Sequence, residues 1–247
     1  MPPKVSVIIV NYHSRAYLSR LVASLWAGKY TNFEIIIIDN DRHNVGYGRA
    51  VNQGAAHARG QYLFVTNPDT LALPDTLAHL VDFLDTHPQT GLVAPLLLDP
   101  RGRPYRLQGT GPLTPLTAIF ALSAINKYWP QNPVSRAYWL TDINRGRPFS
   151  VSVAPGTAFL VRRAAFIPIG GFDSRFFLYF EESDLCRRLT AASWRIFIHP
   201  QARLVHYWGR STPDSPRIKQ IFTASRRLYF TKHFGRLWAY LVDLVVK

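Results

Sequence analysis

The stretch Gln61-Tyr-Leu-Phe-Val-Thr-Asn-Pro-Asp-Thr70 decides the fold, because an apolar run ends there at a polar corner. The four apolar residues from Tyr62 to Val65 have the length of a strand buried on both faces, as in a parallel sheet covered by helices. Pro68 donates no ladder hydrogen bond and fixes φ, so the chain turns and leaves Asp69 at the carboxyl end of the strand. Open α/β sheets bind ligands at this edge. Taken alone, the same corner is equally typical of a turn followed by a helix cap.

Two further apolar runs end in polar residues. The run Val5-Ser-Val-Ile-Ile-Val10 predicts a buried strand that ends at Asn11-Tyr12-His13-Ser14. The run Phe33-Glu-Ile-Ile-Ile-Ile38 predicts a second buried strand, followed by Asp39-Asn40-Asp41. Three strands therefore bring polar residues to one edge of the predicted sheet.

Glycines follow the second of these strands in Asn44-Val-Gly-Tyr-Gly48. They allow tight backbone geometry before a helix that stops at Gly60. No third glycine stands at the offset that a dinucleotide fingerprint requires, so this motif by itself indicates a structural turn.

The pattern is weakest over residues 99–150, where prolines and arginines are scattered among aromatic residues. We expect loops and one short helix near residues 116–125. This part of the chain is either a lid or acceptor-binding insertion, or a plain exposed linker.

A group of acidic residues, Glu181-Glu182-Ser183-Asp184, directly follows the aromatic run Phe176-Phe-Leu-Tyr-Phe180. Acidic residues in the first turn of a helix stabilise its dipole, which is the simplest explanation for one or two of them. Aromatic neighbours also raise the proton affinity of a carboxylate, which a general base needs. His206 follows the last predicted strand, although isolated histidines are more often structural residues than ligands.

The composition describes a folded chain, with 247 residues and 47% hydrophobic content. The single cysteine, Cys186, excludes a disulfide framework and favours a reducing, cytoplasmic setting. Pro2-Pro3-Lys4 leads directly into a strand, so we predict no secretory signal, and no apolar run approaches the ~18 residues that span a bilayer. The formal net charge of +14 indicates an anionic partner: a nucleotide, a phospholipid or a nucleic acid.

The last segment, residues 216–247, has helical periodicity and combines basic with aromatic residues. This combination predicts a helix that lies on an anionic membrane surface. An ordinary terminal helix docked on the domain fits the pattern equally well, and the two interpretations are compatible.

In their order and spacing, the motifs resemble a bacterial family 2 glycosyltransferase of GT-A fold, and most closely its rhamnosyltransferase-like branch. The resemblance covers residues 5–98 and 153–233. The motifs that carry it are Val5-Ser-Val-Ile-Ile-Val-Asn-Tyr12, Ile38-Asp39-Asn40, Asn44-Val-Gly-Tyr-Gly48, Ala58-Arg-Gly60, Asn67-Pro-Asp-Thr70, Gly170-Gly-Phe-Asp173, Phe177-Leu-Tyr-Phe-Glu-Glu-Ser-Asp-Leu-Cys186 and His206-Tyr-Trp-Gly-Arg-Ser211.

The resemblance implies an α/β protein with a mostly parallel central sheet flanked by helices, and a C-terminal basic amphipathic helical segment. We therefore predict a glycosyltransferase domain over residues 1–215 and a C-terminal amphipathic tail over residues 216–247. Within the domain, residues 1–98 would bind the nucleotide sugar, residues 99–150 would be a variable insertion, and residues 151–215 would form the acceptor and catalytic half.

The resemblance also implies roles for individual residues on the donor side. Asn11, Tyr12 and Asp39 would hold the base and ribose, and Asn44 and Gly46 belong to the same nucleotide pocket. Asn67 and Asp69 occupy the Asp-x-Asp site of the family, where Mg²⁺ or Mn²⁺ meets the diphosphate, and His206 matches a position that completes the metal site.

On the acceptor side, one of the paired acids would be the base that deprotonates the acceptor hydroxyl. Glu182 matches the motif register, and Glu181 is the alternative. Three departures from the family pattern stand out: Asn67 replaces the first aspartate of the commoner motif, few residues separate Asp39 from Asn44, and Glu182 replaces an aspartate.

These features predict an inverting transfer of a sugar, with rhamnose as the candidate, from a dTDP- or UDP-sugar to a saccharide or lipid-linked acceptor in bacterial surface polysaccharide synthesis. The enzyme would be cytoplasmic and peripheral on the inner face of the cell membrane, with no nucleic-acid partner. One alternative is a nucleotidyltransferase, which would need a glycine- and lysine-rich phosphate loop where Asn11 to Ser14 stand. The other is a nucleic-acid-binding protein, favoured by the charge but lacking a recognition module.

Overall fold

The protein is built around one eight-stranded sheet in the computed structural model, which describes residues 2–207 and 215–246. The strand order is β2-β1-β3-β7-β5-β8-β4, and β6 pairs with β8 at the side. The strands are β1 (Val5–Asn11), β2 (Phe33–Asp39), β3 (Tyr62–Thr66), β4 (Thr70–Ala72), β5 (Thr90–Leu98), β6 (Phe149–Ser150), β7 (Ala158–Arg162) and β8 (Arg195–His206).

Helices cover both faces of this sheet and one of its ends. The helices are α1 (Arg15–Trp26), α2 (Tyr47–His57), α3 (Thr76–Thr86), α4 (Pro115–Ala121), α5 (Ala124–Tyr128), α6 (Pro133–Trp139), α7 (Arg163–Phe166), α8 (Glu181–Ala191), α9 (Pro216–Phe234) and α10 (Arg236–Val245). In the part of the chain that the structure describes, none of them is both long enough and apolar enough to cross a membrane.

The apolar runs of the sequence form the buried centre of the sheet, as predicted. Along β1, Val7 and Ile9 belong to the core on one face, whereas Ile8 belongs to the core on the other face. Successive side chains of a strand point to opposite faces, so a strand covered on both sides has no polar alternation. The α/β class that the runs indicate is therefore confirmed.

The expectation of a mostly parallel sheet is corrected, because the sheet is mixed. β1 is parallel to β2 and β3, and β5 is parallel to β8, whereas β7 is antiparallel to both β3 and β5. The reason lies in the long segment before β7, which returns the chain to the edge where β3 ends. The amide of Asn67 there donates to the carbonyl of Thr157 (2.8 Å), so β7 must run back along β3 in the opposite direction.

Three short helices, rather than one, occupy the segment 99–150. Pro115 and Pro133 are the first residues of α4 and α6, where a proline costs no hydrogen bond. Thr114 and Asn132 cap these helices through their side-chain oxygens. Two of the prolines that obscured the pattern are therefore helix starts.

Helices α9 and α10 are docked on the domain, which is one of the two interpretations the sequence allowed. Their side chains share a core cluster with α4 and with the aromatic run before α8. The members of this cluster from α9 and α10 are Tyr229, Phe230, Ala239 and Val242, with Val246 just beyond the last helix. The C-terminal segment thus helps to build the region where α8 begins.

Candidate active site

The ends of β1 and β2 form the first part of the site. Asn11 and Asp39 are paired in register, and the Asn11 amide nitrogen donates to the carboxylates of Asp39 (3.3 Å) and Asp41 (3.2 Å). Its amide oxygen accepts from the backbone of Ser14 (3.3 Å). Asn11 is 2% exposed, and these hydrogen bonds hold its side chain against the two acids.

Asp39 is the member of this group that faces outward, with half of its side chain exposed. The backbone N–H of Asp41 lowers the pKa of Asp39, and a hydrogen bond from Asn11 and the charge of Arg15 act in the same direction. The ionised carboxylate can accept hydrogen bonds from ribose hydroxyls. Tyr12 beside it is 37% exposed and presents an aromatic face.

The glycine-containing loop joins this edge to the aromatic run before α8. The amide oxygen of Asn44 accepts from Asn40 and from the backbone of Gly46, each at 3.0 Å. Gly46 has φ +89°, and a Cβ there would stand 2.7 Å from the carbonyl oxygen of Phe177. The next amide, of Tyr47, donates to that carbonyl (2.9 Å). Gly46 is therefore required for close approach of two backbone segments.

Asp69 and His206 come together where β3, β4 and β8 end. Thr70 pairs with His206 across the antiparallel strands β4 and β8, which places Asp69 next to the imidazole. His206 Nε2 lies 3.6 Å from Asp69 Oδ1, and the two residues are 7% and 1% exposed. Asn67, two residues before Asp69, is half-buried. Trp208 to Ser211, the rest of the motif that His206 begins, lie outside the described residues.

This pair fits a divalent cation that takes two ligands from the protein and the rest from a bound molecule and water. Among residues 2–207 and 215–246, no three His, Cys, Asp or Glu side chains are placed to hold a metal together. One carboxylate and one imidazole leave most coordination positions to other ligands. Mg²⁺ and Mn²⁺ commonly take these from phosphate oxygens and water.

An unusual turn positions a second group of acids, Glu181 and Glu182, at the start of α8. Tyr179 and Phe180, directly before α8, have φ +69° and +66°, values that cost non-glycine residues about 1–2 kcal/mol each. The surrounding structure maintains the turn, since Ser225 Oγ of α9 donates to the carbonyl of Leu178 (2.8 Å). Such conformations are typical of functional sites held by their surroundings.

Glu181 and Glu182 differ in burial. Glu181 is 5% exposed, and within the described part of the chain its Oε2 atom has no hydrogen-bond partner. Burial raises the pKa of Glu181 well above its usual value, and the charge of Glu182 raises it further. Glu182 is half-buried, and burial also raises its pKa. Both carboxyl groups therefore hold protons more strongly than ordinary glutamates do.

Tyr47 contacts the loop that packs against Glu182, and no local pattern had assigned it a role. Its hydroxyl donates to the carbonyl of Gly156 (3.2 Å), and Gly156 packs against Glu182, since a Cβ at Gly156 would lie 3.3 Å from Glu182 Cβ. Burial raises the pKa of Tyr47, and the charges of Glu181, Glu182 and Asp69 raise it further. The residue after Gly156, Thr157, accepts a hydrogen bond from the backbone of Asn67 (2.8 Å), so Gly156 and Thr157 join the start of α8 to the strand end that leads to Asp69.

Asp184 holds the start of α8 in place and is also a residue whose role was not anticipated. It is fully buried and accepts hydrogen bonds from Arg188 (2.7 Å) and Lys232 (2.5 Å), and His233 Nε2 lies 2.8 Å from it. Lys232 also donates to Asp173 (2.8 Å). The partners on α9 are almost 50 residues away along the chain, so no local pattern could have revealed them.

The mixed sheet and the helices that flank it have the GT-A fold. The structure of GalNAc-T7 with UDP, GalNAc and Mn²⁺ superimposes with a TM-score of 0.60 at 15% identity, over 98% of this chain. The chain spans 55% of that protein, so the likeness concerns the fold.

Sequence comparison then identifies the family. The model of glycosyl transferase family 2 matches residues 40–170. The N-acetylglucosaminyl-diphospho-decaprenol L-rhamnosyltransferase of Mycobacterium tuberculosis is 30% identical over 243 residues, 85% of this chain and 78% of the relative. The rhamnosyltransferase WbbL of Escherichia coli is 25% identical, over 82% of this chain and 83% of its own length.

The chain therefore belongs to glycosyl transferase family 2. The resemblance to the rhamnosyltransferase-like branch is confirmed, and sugar transfer in polysaccharide synthesis is favoured over the nucleotidyltransferase and nucleic-acid-binding alternatives.

Proposed function

We propose that this chain transfers rhamnose from a dTDP- or UDP-sugar to a lipid-linked saccharide, with inversion at the anomeric carbon. The names of both curated relatives support rhamnose, and that of the mycobacterial relative supports a lipid diphosphate acceptor. We place the reaction on the cytoplasmic face of the cell membrane, where such an acceptor would be reached.

In this proposal Asp39 and Tyr12 bind the nucleoside, because they are exposed where β1 and β2 end. Asp69 and His206 hold Mg²⁺ or Mn²⁺ against the diphosphate. The bound cation would offset negative charge on the departing nucleoside diphosphate. The Mn²⁺ in the similar solved structure supports a divalent metal in this fold.

Glu182 is the proposed base, because it is less buried than Glu181 and carries a raised pKa. It takes the proton of the acceptor hydroxyl while the oxygen forms a bond to the anomeric carbon. The bond from that carbon to the diphosphate oxygen breaks in the same step, and the nucleoside diphosphate leaves. A single displacement inverts the anomeric configuration and needs no covalent glycosyl-enzyme.

One observation carries this proposal: the backbone of Asn67 donates to Thr157 (2.8 Å), and the adjacent Gly156 packs against Glu182. In this proposal, a donor held at Asp69 places its sugar on the side of Glu182.

The test is a transfer assay with purified chain, dTDP-, UDP- and GDP-sugars, and polyprenyl-diphospho-N-acetylglucosamine as acceptor. We expect release of the nucleoside diphosphate from dTDP-rhamnose or a UDP-sugar that depends on the acceptor, and a product one sugar heavier. NMR of the product would show the inverted anomer. Absence of transfer with all donors, in Mg²⁺ and in Mn²⁺, would reject the proposal.

A further inference from the structure

Helix α10 is apolar on two opposite sides. Its inner side contributes Ala239 and Val242 to the core cluster shared with α4. Its outer side exposes Leu237, Tyr240 and Leu244, which are 69%, 61% and 54% accessible and follow one another at helical spacing. Exposed apolar patches on a folded protein often mark an interaction site.

Helix α5, which lies in the segment 99–150, also exposes aromatic side chains. None of its residues is buried, and its end exposes Tyr128 (82%) and Trp129 (55%). Both α5 and α10 contact α4, so the two helices that expose apolar side chains are neighbours of the same element.

The exposed charges on helices α5 and α10 are positive. No acidic residue stands between Asp99 and Asp142, and Asp243 of α10 is turned to Arg226 and Arg227 at 3.0 and 2.7 Å. Lys127 of α5 and Arg236 of α10 are exposed. Neither makes an ion pair within residues 2–207 and 215–246.

We propose that the outer sides of α5 and α10 bind the surface of a bilayer that contains anionic lipids. Tyr128, Trp129, Leu237 and Tyr240 enter the boundary between headgroups and acyl chains, and Lys127 and Arg236 contact the lipid phosphates. The inference deepens the proposed function, since a lipid-linked acceptor is presented at such a surface. Vesicle binding needs no sugar donor, so the two proposals can fail separately.

The sequence indicated the whole segment 216–247 as a membrane-binding helix, whereas this surface includes α10 but not α9. Arg226 and Lys232 of α9 are engaged in ion pairs with Asp243, Asp173 and Asp184. Removal of residues from 216 onward would therefore disturb the start of α8, so substitutions in the full chain are the appropriate test.

The experiment is sedimentation of the full chain with large unilamellar vesicles, either of mixed phosphatidylethanolamine and phosphatidylglycerol or of phosphatidylcholine alone. We compare the wild type with a variant carrying Tyr128→Ser, Trp129→Ser, Leu237→Ser and Leu244→Ser. The matched control carries Trp26→Ser and Ile167→Ser, which are comparably exposed (58% and 48%) on other parts of the surface. Circular dichroism checks that all three remain folded.

We expect the wild type and the control to bind the anionic vesicles, more weakly at high salt, and the four-site variant to lose at least about tenfold in partition coefficient. A variant with Lys127→Gln and Arg236→Gln should lose part of the salt-sensitive binding. Equal binding by the wild type and the four-site variant, or no binding by the wild type, overturns the proposal. The proposal is also overturned if the wild type is a dimer and the four-site variant is a monomer. The exposed apolar side chains would then join two copies of the chain.

Discussion

The imidazole of His233 lies 2.8 Å from the carboxylate of Asp184, which ties the last long helix of the chain to the turn that carries the candidate base. Asp184 is two residues beyond Glu182 on α8 and is completely buried. Lys232 and Arg188 bind the same carboxylate. The position of Glu182 thus depends on contacts with α9.

Replacing Asp184 with Asn should destabilise the fold by about 3–5 kcal/mol, because Arg188, which is 80% buried, loses its counter-charge and Lys232 keeps only Asp173. Urea unfolding measures the change. Asp142→Asn is the matched control, since its ion pair with Arg136 is at the surface and its loss should cost less than about 1 kcal/mol. Equal effects of the two substitutions would contradict a structural role for the Asp184 contacts.

The same carboxylate predicts how stability depends on pH. Burial by itself raises the pKa of Asp184, but hydrogen bonds from His233 and Lys232 and the charge of Arg188 outweigh it and hold the pKa below its usual value of 3.8. Its contribution is therefore complete above about pH 4 and is lost as pH falls through the lowered value. Unfolding curves between pH 3 and 6 should show a steeper acid loss for the wild type than for Asp184→Asn.

Glu182→Gln should lower kcat by at least about 100-fold and leave the donor KM within a small factor, because the amide keeps the shape of the side chain but cannot accept the proton. Glu181→Gln should have the smaller effect, since that carboxyl group is almost completely buried. Steady-state kinetics with both variants decide between the two glutamates. If the Glu182→Gln enzyme keeps near-normal turnover, the base is another group.

The base must be deprotonated to act, so the rate should decrease as pH falls through its pKa. Because burial raises the pKa of Glu182, the acid limb of the profile of kcat against pH should lie above the ordinary glutamate value of 4.5. The apparent pKa of this acid limb belongs to the two glutamates together, because the charges of Glu181 and Glu182 interact. A limb at or below 4.5 would argue against a buried carboxylate base.

Asp69→Asn and His206→Ala should each remove most of the increase in donor affinity that Mn²⁺ or Mg²⁺ produces. The reason is that the cation would lose one of its two protein ligands. Calorimetric titration of a nucleoside diphosphate with and without metal measures this difference. Asp75→Asn, at a surface ion pair with Lys29, is the control and should leave it unchanged. Metal-independent binding in the wild type would count against the assignment.

Gly46→Ala should destabilise the protein more than Gly102→Ala. Both glycines have positive φ, +89° and +78°, so both substitutions carry the backbone cost of about 1 kcal/mol. At Gly46 the new Cβ would also meet the carbonyl of Phe177 at 2.7 Å, whereas nothing lies within 4 Å at Gly102. Thermal unfolding of the two variants separates the conformational cost from the loss of the contact between α2 and the aromatic run.

Much of the donor side could be predicted from the sequence, because it depends on local signals. An apolar run followed by Asn11, Asp39 or Asp69 marks both a strand and its end, and parallel neighbours bring those ends together. The proximity of Asp69 and His206 was also predicted, although only through the resemblance to the family. Their roles, like those of the other candidate site residues, remain predictions that the experiments above address.

Other features could not be read from local pattern. The prolines of residues 99–150 indicated loops, but Pro115 and Pro133 begin helices, since a proline at the first helical position and a proline in a loop look alike in sequence. The direction of β7 depends on where the long insertion returns the chain, which no local property encodes.

The sequence by itself determined the α/β class, the order of the first strands and which polar residues stand at their ends, because burial pattern and chain termination are properties of neighbouring residues. Only the tertiary structure decided that Gly156 packs against Glu182, that α9 secures Asp184, and that α5 and α10 both contact α4. These relationships join residues far apart in the chain, and such contacts form only when whole helices and strands pack together.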